Sequence, residues 1–345
     1  MTDVDGIDAT AVTAWLEERV DAQPPVRFDV VHGGRSNLTY VVTDAAERRW
    51  VLRRPPLHSV LESAHDMGRE HRIISALAPS PVPVPATVGF EEDPTVTGAP
   101  FYVMEHVDGV VIRDADAARR HLTAGTRAVA ADHLVDVLVA LHAVDPDEVG
   151  LGELARRDAY VARQLRRWHG QLQKGRSREL PLLDEVHDRL AADVPEQRSV
   201  AIVHGDYRLD NLILDPATGQ VAAVLDWELT TLGDPLADIG LLLVYWSQPA
   251  DATIPLGDAP TLVDGFPDRQ AIGDRYARRS GRDLSEVDYY VAFGLWKLAC
   301  ILEGVYARYR AGAYGGSADE GFERLGAVVV DLAEGAADAA ARVGR

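Results

Sequence analysis

The chain changes pattern near residue 110, and that change limits the folds open to it. Before it, short runs with β alternation at 28–32, 38–43, 49–53, 86–90 and 101–106 are separated by turn residues. One helical stretch at 64–77 interrupts them, and Pro79, Pro81, Pro83 and Pro85 forbid its continuation. Beyond residue 110 the apolar spacing is helical over 124–143, 155–170, 182–192, 235–245, 268–280, 286–309 and 321–343. Two short apolar strands, 200–203 and 221–225, interrupt that half. The expected architecture is therefore α+β and bilobal. A small antiparallel-sheet lobe covers 1–107, a larger and mostly helical lobe covers 108–345, and a cleft between them would take a small ligand. At 345 residues the chain is longer than one core usually organises.

Charge and cysteine content remove several function classes. A net charge of −19 disfavours nucleic acid and anionic membrane surfaces as partners. The single cysteine, Cys300, excludes an internal disulfide and a Cys-cluster metal site, and its apolar neighbours make it a packed thiol. The N-terminus is acidic and lacks a leader pattern, and the best uninterrupted apolar run, 239–246, is too short to span a bilayer. The expectation is a cytoplasmic enzyme without nucleic-acid or membrane partners.

The strongest chemical signal is His204-Gly205-Asp206-Tyr207-Arg208-Leu209-Asp210-Asn211, followed by Leu225-Asp226-Trp227-Glu228. An apolar strand delivers Asp206 to a strand end. Asn211 follows five positions later and Asp226 fifteen beyond that, past a turn at Asp215-Pro216-Ala217-Thr218-Gly219. Phosphoryl transfer needs such a set: one carboxylate to orient and deprotonate a hydroxyl, and an amide oxygen with a second carboxylate to hold magnesium. Hard oxygen ligands suit that ion.

This spacing resembles a kinase catalytic loop. With His-Gly-Asp and Asp-Trp-Glu, it looks like the aminoglycoside phosphotransferase (APH)-like family. Thr231 through Gly240 and the proline run ending at Pro85 continue that pattern, so the resemblance covers about 25–310. It implies a protein-kinase-like fold of the APH type, with ATP and magnesium as cofactors and a small-molecule hydroxyl as acceptor. The first lobe would bind nucleotide, and the second would carry catalysis and substrate. Asp206 would be the base and Asn211 and Asp226 the metal ligands. His204 and Asp238 would give structural support, His204 by orienting the loop and Asp238 by bracing its backbone.

The small lobe carries matching features. His32-Gly33-Gly34-Arg35-Ser36-Asn37 falls between two strand patterns, as a phosphate-covering loop would, with Gly33 and Gly34 allowing close backbone approach and Ser36 and Asn37 able to donate. A plain Gly-Gly hairpin turn would look the same. The chain contains two lysines, Lys174 and Lys297, and neither lies in this lobe. Arg53 stands where the family's phosphate-binding lysine is expected, with Glu70 as its helical partner. Glu70 shares a face with Ile73, Ile74 and Leu77, where a carboxylate wants a cation. The alternative is an Arg–Glu pair that only ties helix to sheet. The resemblance also assigns the main chain of Glu105 and Val107 to the adenine edge.

The acceptor is harder to read. Residues 155–179 hold eight cations against two acids, Asp158 and Glu179. This is either a solvated face or a site for an anionic acceptor, for which Arg163, Arg166 and Arg167 share a helical face. The stretch Tyr160 to Trp168, with Thr230 to Pro235, resembles the kinase-like domain fused to some acyl-CoA dehydrogenases, and that resemblance implies a hydroxyacyl-CoA acceptor. The alternatives are an antibiotic phosphotransferase, a nucleotide-binding pseudokinase and a magnesium-dependent phosphohydrolase. The last would leave the glycine loop and the Arg53–Glu70 pair without a role.

Overall fold

The computed structural model describes residues 4–31, 37–57, 66–251, 258–310 and 320–343. Its contacts divide the chain into two units. The first is Met1–Gly109 with Ala222–Glu228, and the second is Val110–Val221 with Leu229–Arg345. The sequence boundary at 107/108 thus falls two residues before the structural one, and the return of 222–228 to the first unit has no counterpart in the sequence reading.

The first unit is built on a five-stranded antiparallel sheet in the order β1-β2-β3-β5-β4. The strands are β1 (Arg27–Val30), β2 (Leu38–Thr43), β3 (Arg49–Arg54), β4 (Thr87–Glu91) and β5 (Phe101–Glu105). Strand alternation sorts their side chains onto two faces. Tyr40, Val42, Trp50, Leu52, Phe101 and Val103 form one apolar cluster with Val12, Trp15 and Leu16 of helix α1 (Ala9–Val20). Helix α2 (Met67–Leu77) buries Glu70, Ile73, Ile74 and Leu77. Asp66 caps it by accepting from Arg69 N, so it starts three residues after the expected 64.

Helix α1 was not expected from sequence. Asp8 accepts from the main-chain N–H of Thr10 and Ala11, and Val12, Trp15 and Leu16 fall one turn apart on one face. That cap-and-spacing signal was present in the sequence.

The second unit is mostly helical: α3 (Ala115–His121), α4 (Ala124–Ala143), α5 (Tyr160–Gly175), α6 (Pro181–Ala192), α7 (Leu236–Tyr245), α8 (Arg269–Ser280), α9 (Val287–Arg310) and α10 (Glu320–Ala340). Helix α3 was missed. Helix α5 begins five residues after the expected 155, directly behind Ala159, whose left-handed backbone (φ 47°) cannot continue a helix toward its N-terminal side. Two pairs of short strands carry the chemistry-bearing loops. Strand β6 (Ala201–Val203) pairs antiparallel with β9 (Thr231–Gly233), and β7 (Leu212–Leu214) pairs with β8 (Val221–Val224). The turn between β7 and β8 needs its glycine: Gly219 has φ 78°, and a Cβ there would stand 2.3 Å from Thr126 O.

By length and composition α9 could cross a membrane. Its Tyr289, Phe293, Trp296 and Leu298 are instead packed into one core with Leu165 and Trp168 of α5 and Leu332 and Ala336 of α10.

Candidate active site

Strand β6 is apolar and fully buried, so the chain emerges from it at a fixed point, and His204, Gly205 and Asp206 follow at once. Asp238, in the first turn of α7, accepts from His204 N through Oδ2 at 2.7 Å and from Gly205 N through Oδ1 at 2.8 Å. Burial works against the Asp238 charge, but His142, His204 and the Gly205 N–H outweigh it and hold its pKa below the ordinary value. His204 is itself buried, and its Nδ1 accepts from Asp206 N at 3.3 Å. Gly205 has φ 86°, and a Cβ would meet Leu229 O at 2.8 Å, so a side chain is excluded there.

The Asp206 carboxylate is held at both oxygens. Asn211 Nδ2 donates to Oδ2 at 3.0 Å and also to the Asp206 main-chain O at 2.8 Å, while Tyr245 OH donates to Oδ1 at 3.1 Å. Arg208 Nε lies 3.6 Å from Asp206 Oδ2, and the same guanidinium reaches Asp210 at 3.2 Å. Asn211 sits in a 3-10 turn, Leu209–Asn211, whose tightness brings its amide back onto Asp206. Burial and then Asp206 push the Tyr245 pKa up, so its hydroxyl keeps its proton and donates.

Beside this carboxylate the second unit has a pocket. It is lined by Arg113, Arg208, Leu242, Tyr245, Trp246 and Pro260, among others. Ser247 also lines it.

The first unit carries its own polar cluster. On β3, Arg53 and Arg54 face opposite sides of the sheet, as strand alternation requires. Arg54 donates to Thr97 O at 2.8 Å and to Gly6 O. Arg53 faces α2: Nη1 is 3.4 Å from Glu70 Oε2, and Nη2 is 3.4 Å from Asp226 Oδ1. Its Nε has no hydrogen-bond partner among the described residues. Burial alone would depress the Arg53 pKa, but Tyr102, Glu70, Asp226 and Glu228 more than reverse that, so the guanidinium stays charged. Glu70 is 2% exposed and accepts from Tyr102 OH at 2.9 Å and Asn37 Nδ2 at 3.0 Å. Burial raises its pKa, and Arg53 and Tyr102 offset part of the rise.

Several sequence-predicted residues are thereby located. Asn37 donates to Glu70, and at 3.4 Å to Glu228, so it braces the carboxylates. Gly33, Gly34 and Ser36 lie outside the described residues. Glu105 N donates to Ala86 O at 2.8 Å, and Val107 follows the end of β5. Arg163 is folded back along its own helix: Nη2 donates to Arg156 O at 2.6 Å, and Nη1 lies 3.9 Å from Asp158. Arg166 and Arg167 are exposed, and Arg167 lies over the Trp168 ring. Tyr245, Tyr102, Glu228 and Lys297 were not singled out for the site. Tyr245 was visible only as the last residue of an apolar helix, a position that says nothing of a partner across the chain.

Magnesium can be weighed against these donors. Asn211 spends its amide nitrogen on Asp206, which turns the amide oxygen to other use, and Asp226 keeps a carboxylate that is 31% exposed. Both are hard oxygen donors. Among the described residues no three His, Cys, Asp or Glu side chains gather into a metal site. Each of Asn211 and Asp226, taken by itself, is a donor whose chemistry suits magnesium and poorly suits zinc.

The APH family model, described as the phosphotransferase enzyme family, matches residues 28–283. The chain belongs to that family. The chain is 35% identical to acyl-CoA dehydrogenase family member 10 of Mus musculus over 282 residues, which covers 81% of this chain and 26% of that protein. It is 32% identical to family member 11 of Rattus norvegicus over 316 residues, 88% of this chain and 40% of that one. The chain thus spans well under half the length of these relatives. Among solved structures, a Ralstonia eutropha protein named as an aminoglycoside phosphotransferase superposes with a TM-score of 0.82 at 30% identity, covering 98% of this chain and 99% of that one. The fold of the chain is accordingly the α+β, kinase-like fold of the APH type, as its sequence motifs implied.

Proposed function

We propose that this protein moves the γ-phosphoryl group of ATP to a hydroxyl of a small molecule, with magnesium, in the cytoplasm, and that the acceptor is a hydroxyacyl-CoA. The observation that carries the reaction type is Asp206, a carboxylate with both oxygens fixed by donors and still 24% exposed. An acceptor hydroxyl donates its hydrogen to Asp206. As its oxygen bonds to the γ-phosphorus and the bond from that phosphorus to the leaving ADP oxygen breaks, the proton passes to Asp206. Arg53, oriented by Glu70, would grip the phosphates. Asn211 and Asp226 would hold magnesium, which when bound neutralises charge on the phosphates.

Two features support the acceptor class. The pocket beside Asp206 has apolar walls from Leu242, Trp246 and Pro260 that suit an acyl chain, with Arg113 and Arg208 set against the carboxylates Asp210 and Asp258 at its polar side. The relatives' names also carry acyl-CoA chemistry. Arg163, Arg166 and Arg167 are proposed as outer contacts for the CoA phosphates. ADP release should be measured across hydroxyacyl-CoAs, sugars, aminoglycosides and choline-like alcohols. Activity confined to aminoglycosides would reject the acyl-CoA assignment. For the outer contacts, Arg163→Ala with Arg167→Ala should weaken acceptor binding more than about tenfold, and less so at higher salt, if both touch phosphate. An unchanged acceptor constant would make that helix face a solvated surface.

A further inference from the structure

One of the two lysines lies inside the second unit, against the loop that carries Asp206. Lys297, on α9, is 6% exposed, and its Nζ donates to Gly205 O at 3.1 Å. The Trp168 ring lies 5.8 Å from the ammonium. Tyr160, Phe293, Gly205 and Asp238 line a small cavity with it. The charged groups that act on it are Asp206 and Asp238, which favour its charge, and Arg167, which opposes it. Burial is the largest influence and holds its pKa below the usual lysine value. A methionine would fill the same space without that cost, so stability alone gives no reason for an amine here.

The reason lies in the loop. The Gly205–Asp206 peptide leads into the proposed base: Asp238 fixes the peptide before it by accepting from Gly205 N, and His204 Nδ1 fixes its own N–H edge by accepting from Asp206 N. Those contacts leave the carbonyl edge, and Lys297 is the side chain that takes it. Gly205, with φ 86°, has no side chain of its own to restrict the peptide.

We propose that Lys297 is a positioning residue for Asp206, pinning the Gly205 carbonyl and setting a buried positive charge beside the base. The proposal rests on Asp206 being the base. Its test uses Mg·ATP with water as the acceptor, following ADP release, alongside the calorimetric affinity for Mg·ATP and the melting temperature. Lys297→Met should melt at or above the wild-type temperature, yet turn over at least about tenfold more slowly, the scale of a modest misplacement of a catalytic group. The ATP Michaelis constant should stay within about twofold, because the lysine touches no phosphate. Folded Lys297→Met with wild-type turnover would overturn the proposal. Should that variant not fold, Lys297→Arg, which keeps the charge, must retain more turnover than Lys297→Gln, and equal turnover in the two would overturn it as well. Asp206→Asn run in parallel separates the two readings. If Asp206→Asn keeps full turnover the base assignment fails, whereas turnover lost there but kept in Lys297→Met removes only the role of Lys297.

Discussion

Asn211 gives its side-chain amide to one residue, Asp206, at the main-chain carbonyl (2.8 Å) and at carboxylate Oδ2 (3.0 Å). The five-residue interval between an Asp and an Asn is therefore a closed ring as well as a motif. The 3-10 turn between them bends the chain until the amide nitrogen is consumed by Asp206, and the amide oxygen takes no part in that ring. One geometry thus orients both the proposed base and a proposed metal donor.

Asp206→Asn keeps that ring. The new amide can turn its oxygen toward Asn211 Nδ2 and its nitrogen toward Tyr245 OH, so the fold and nucleotide binding should survive. Turnover should fall by at least ~10²-fold, the scale of general-base catalysis. Steady-state ADP release and a thermal melt test this. Full activity in a variant that melts normally would remove Asp206 from the mechanism.

Asp226 has φ 65°, a left-handed backbone that aspartate and asparagine tolerate better than alanine. Asp226→Asn therefore isolates the charge from backbone strain. Nucleotide affinity measured by calorimetry should drop sharply in magnesium, and the variant's affinity should match that of the wild type in excess chelator. Equal affinity for Mg·ATP in both proteins would show that the ion is held by other groups.

Arg53 predicts two separable effects. Removing it as Arg53→Ala leaves Glu70 buried beside Tyr102 and Asn37, which still donate to it. The loss of stability should then stay at or below about 3 kcal/mol, the low end for breaking a buried pair. The ATP Michaelis constant should rise and turnover fall together, and Arg53→Lys should recover part of both. Arg54→Ala should act on stability alone, since its guanidinium serves the Gly6 and Thr97 carbonyls on the opposite face. If Arg54→Ala raises the ATP constant while Arg53→Ala does not, the nucleotide uses the other side of the strand.

Much of this was legible because strong local rules agreed with the fold. The proline run ended α2 at Leu77, the 124–143 periodicity gave α4 to the residue, and the helical face shared by Glu70, Ile73, Ile74 and Leu77 together with the family resemblance paired Glu70 with Arg53. What was not legible depended on partners distant in sequence. Strand β9 is three residues long and exists because β6 is there to pair with it. Tyr245 meets Asp206 across 39 positions and Lys297 meets Gly205 across 92, and no periodicity encodes such a meeting. Asn37 was read as a phosphate donor because it ends a glycine-rich loop, yet its amide serves Glu70. The basic run at 156–178 was visible as charge. Its dispersal onto Asp147, Asp158, Asp184 and Glu303 could come only from the folded chain.

The last prediction concerns pH. His142 is buried between Asp238 and Tyr276, with Nε2 3.2 Å from Asp238 Oδ2 and Nδ1 2.8 Å from Tyr276 OH. An ionised carboxylate only accepts, so Nε2 carries the hydrogen and Nδ1 accepts from the tyrosine; the ring is neutral. Burial pushes its pKa below 6.5, with Asp238 pulling the other way, and burial lowers His71, His106 and His133 in the same direction. In the unfolded chain these rings take protons near 6.5, while in the folded chain they do so only at lower pH. Between those values the unfolded state binds more protons, so stability is fully present above about pH 6.5 and is lost as pH falls through that window. The melting temperature should therefore drop between about pH 7 and about pH 5.5, with Glu70, Asp210 and Asp234, whose pKa values burial raises, acting in the opposite sense as they take up protons. His142→Gln can still donate to Asp238 and accept from Tyr276 but cannot titrate. Its melting temperature should fall less steeply over the same window. A slope equal to the wild type would assign the acid sensitivity to the other three histidines and leave His142 without a share in it.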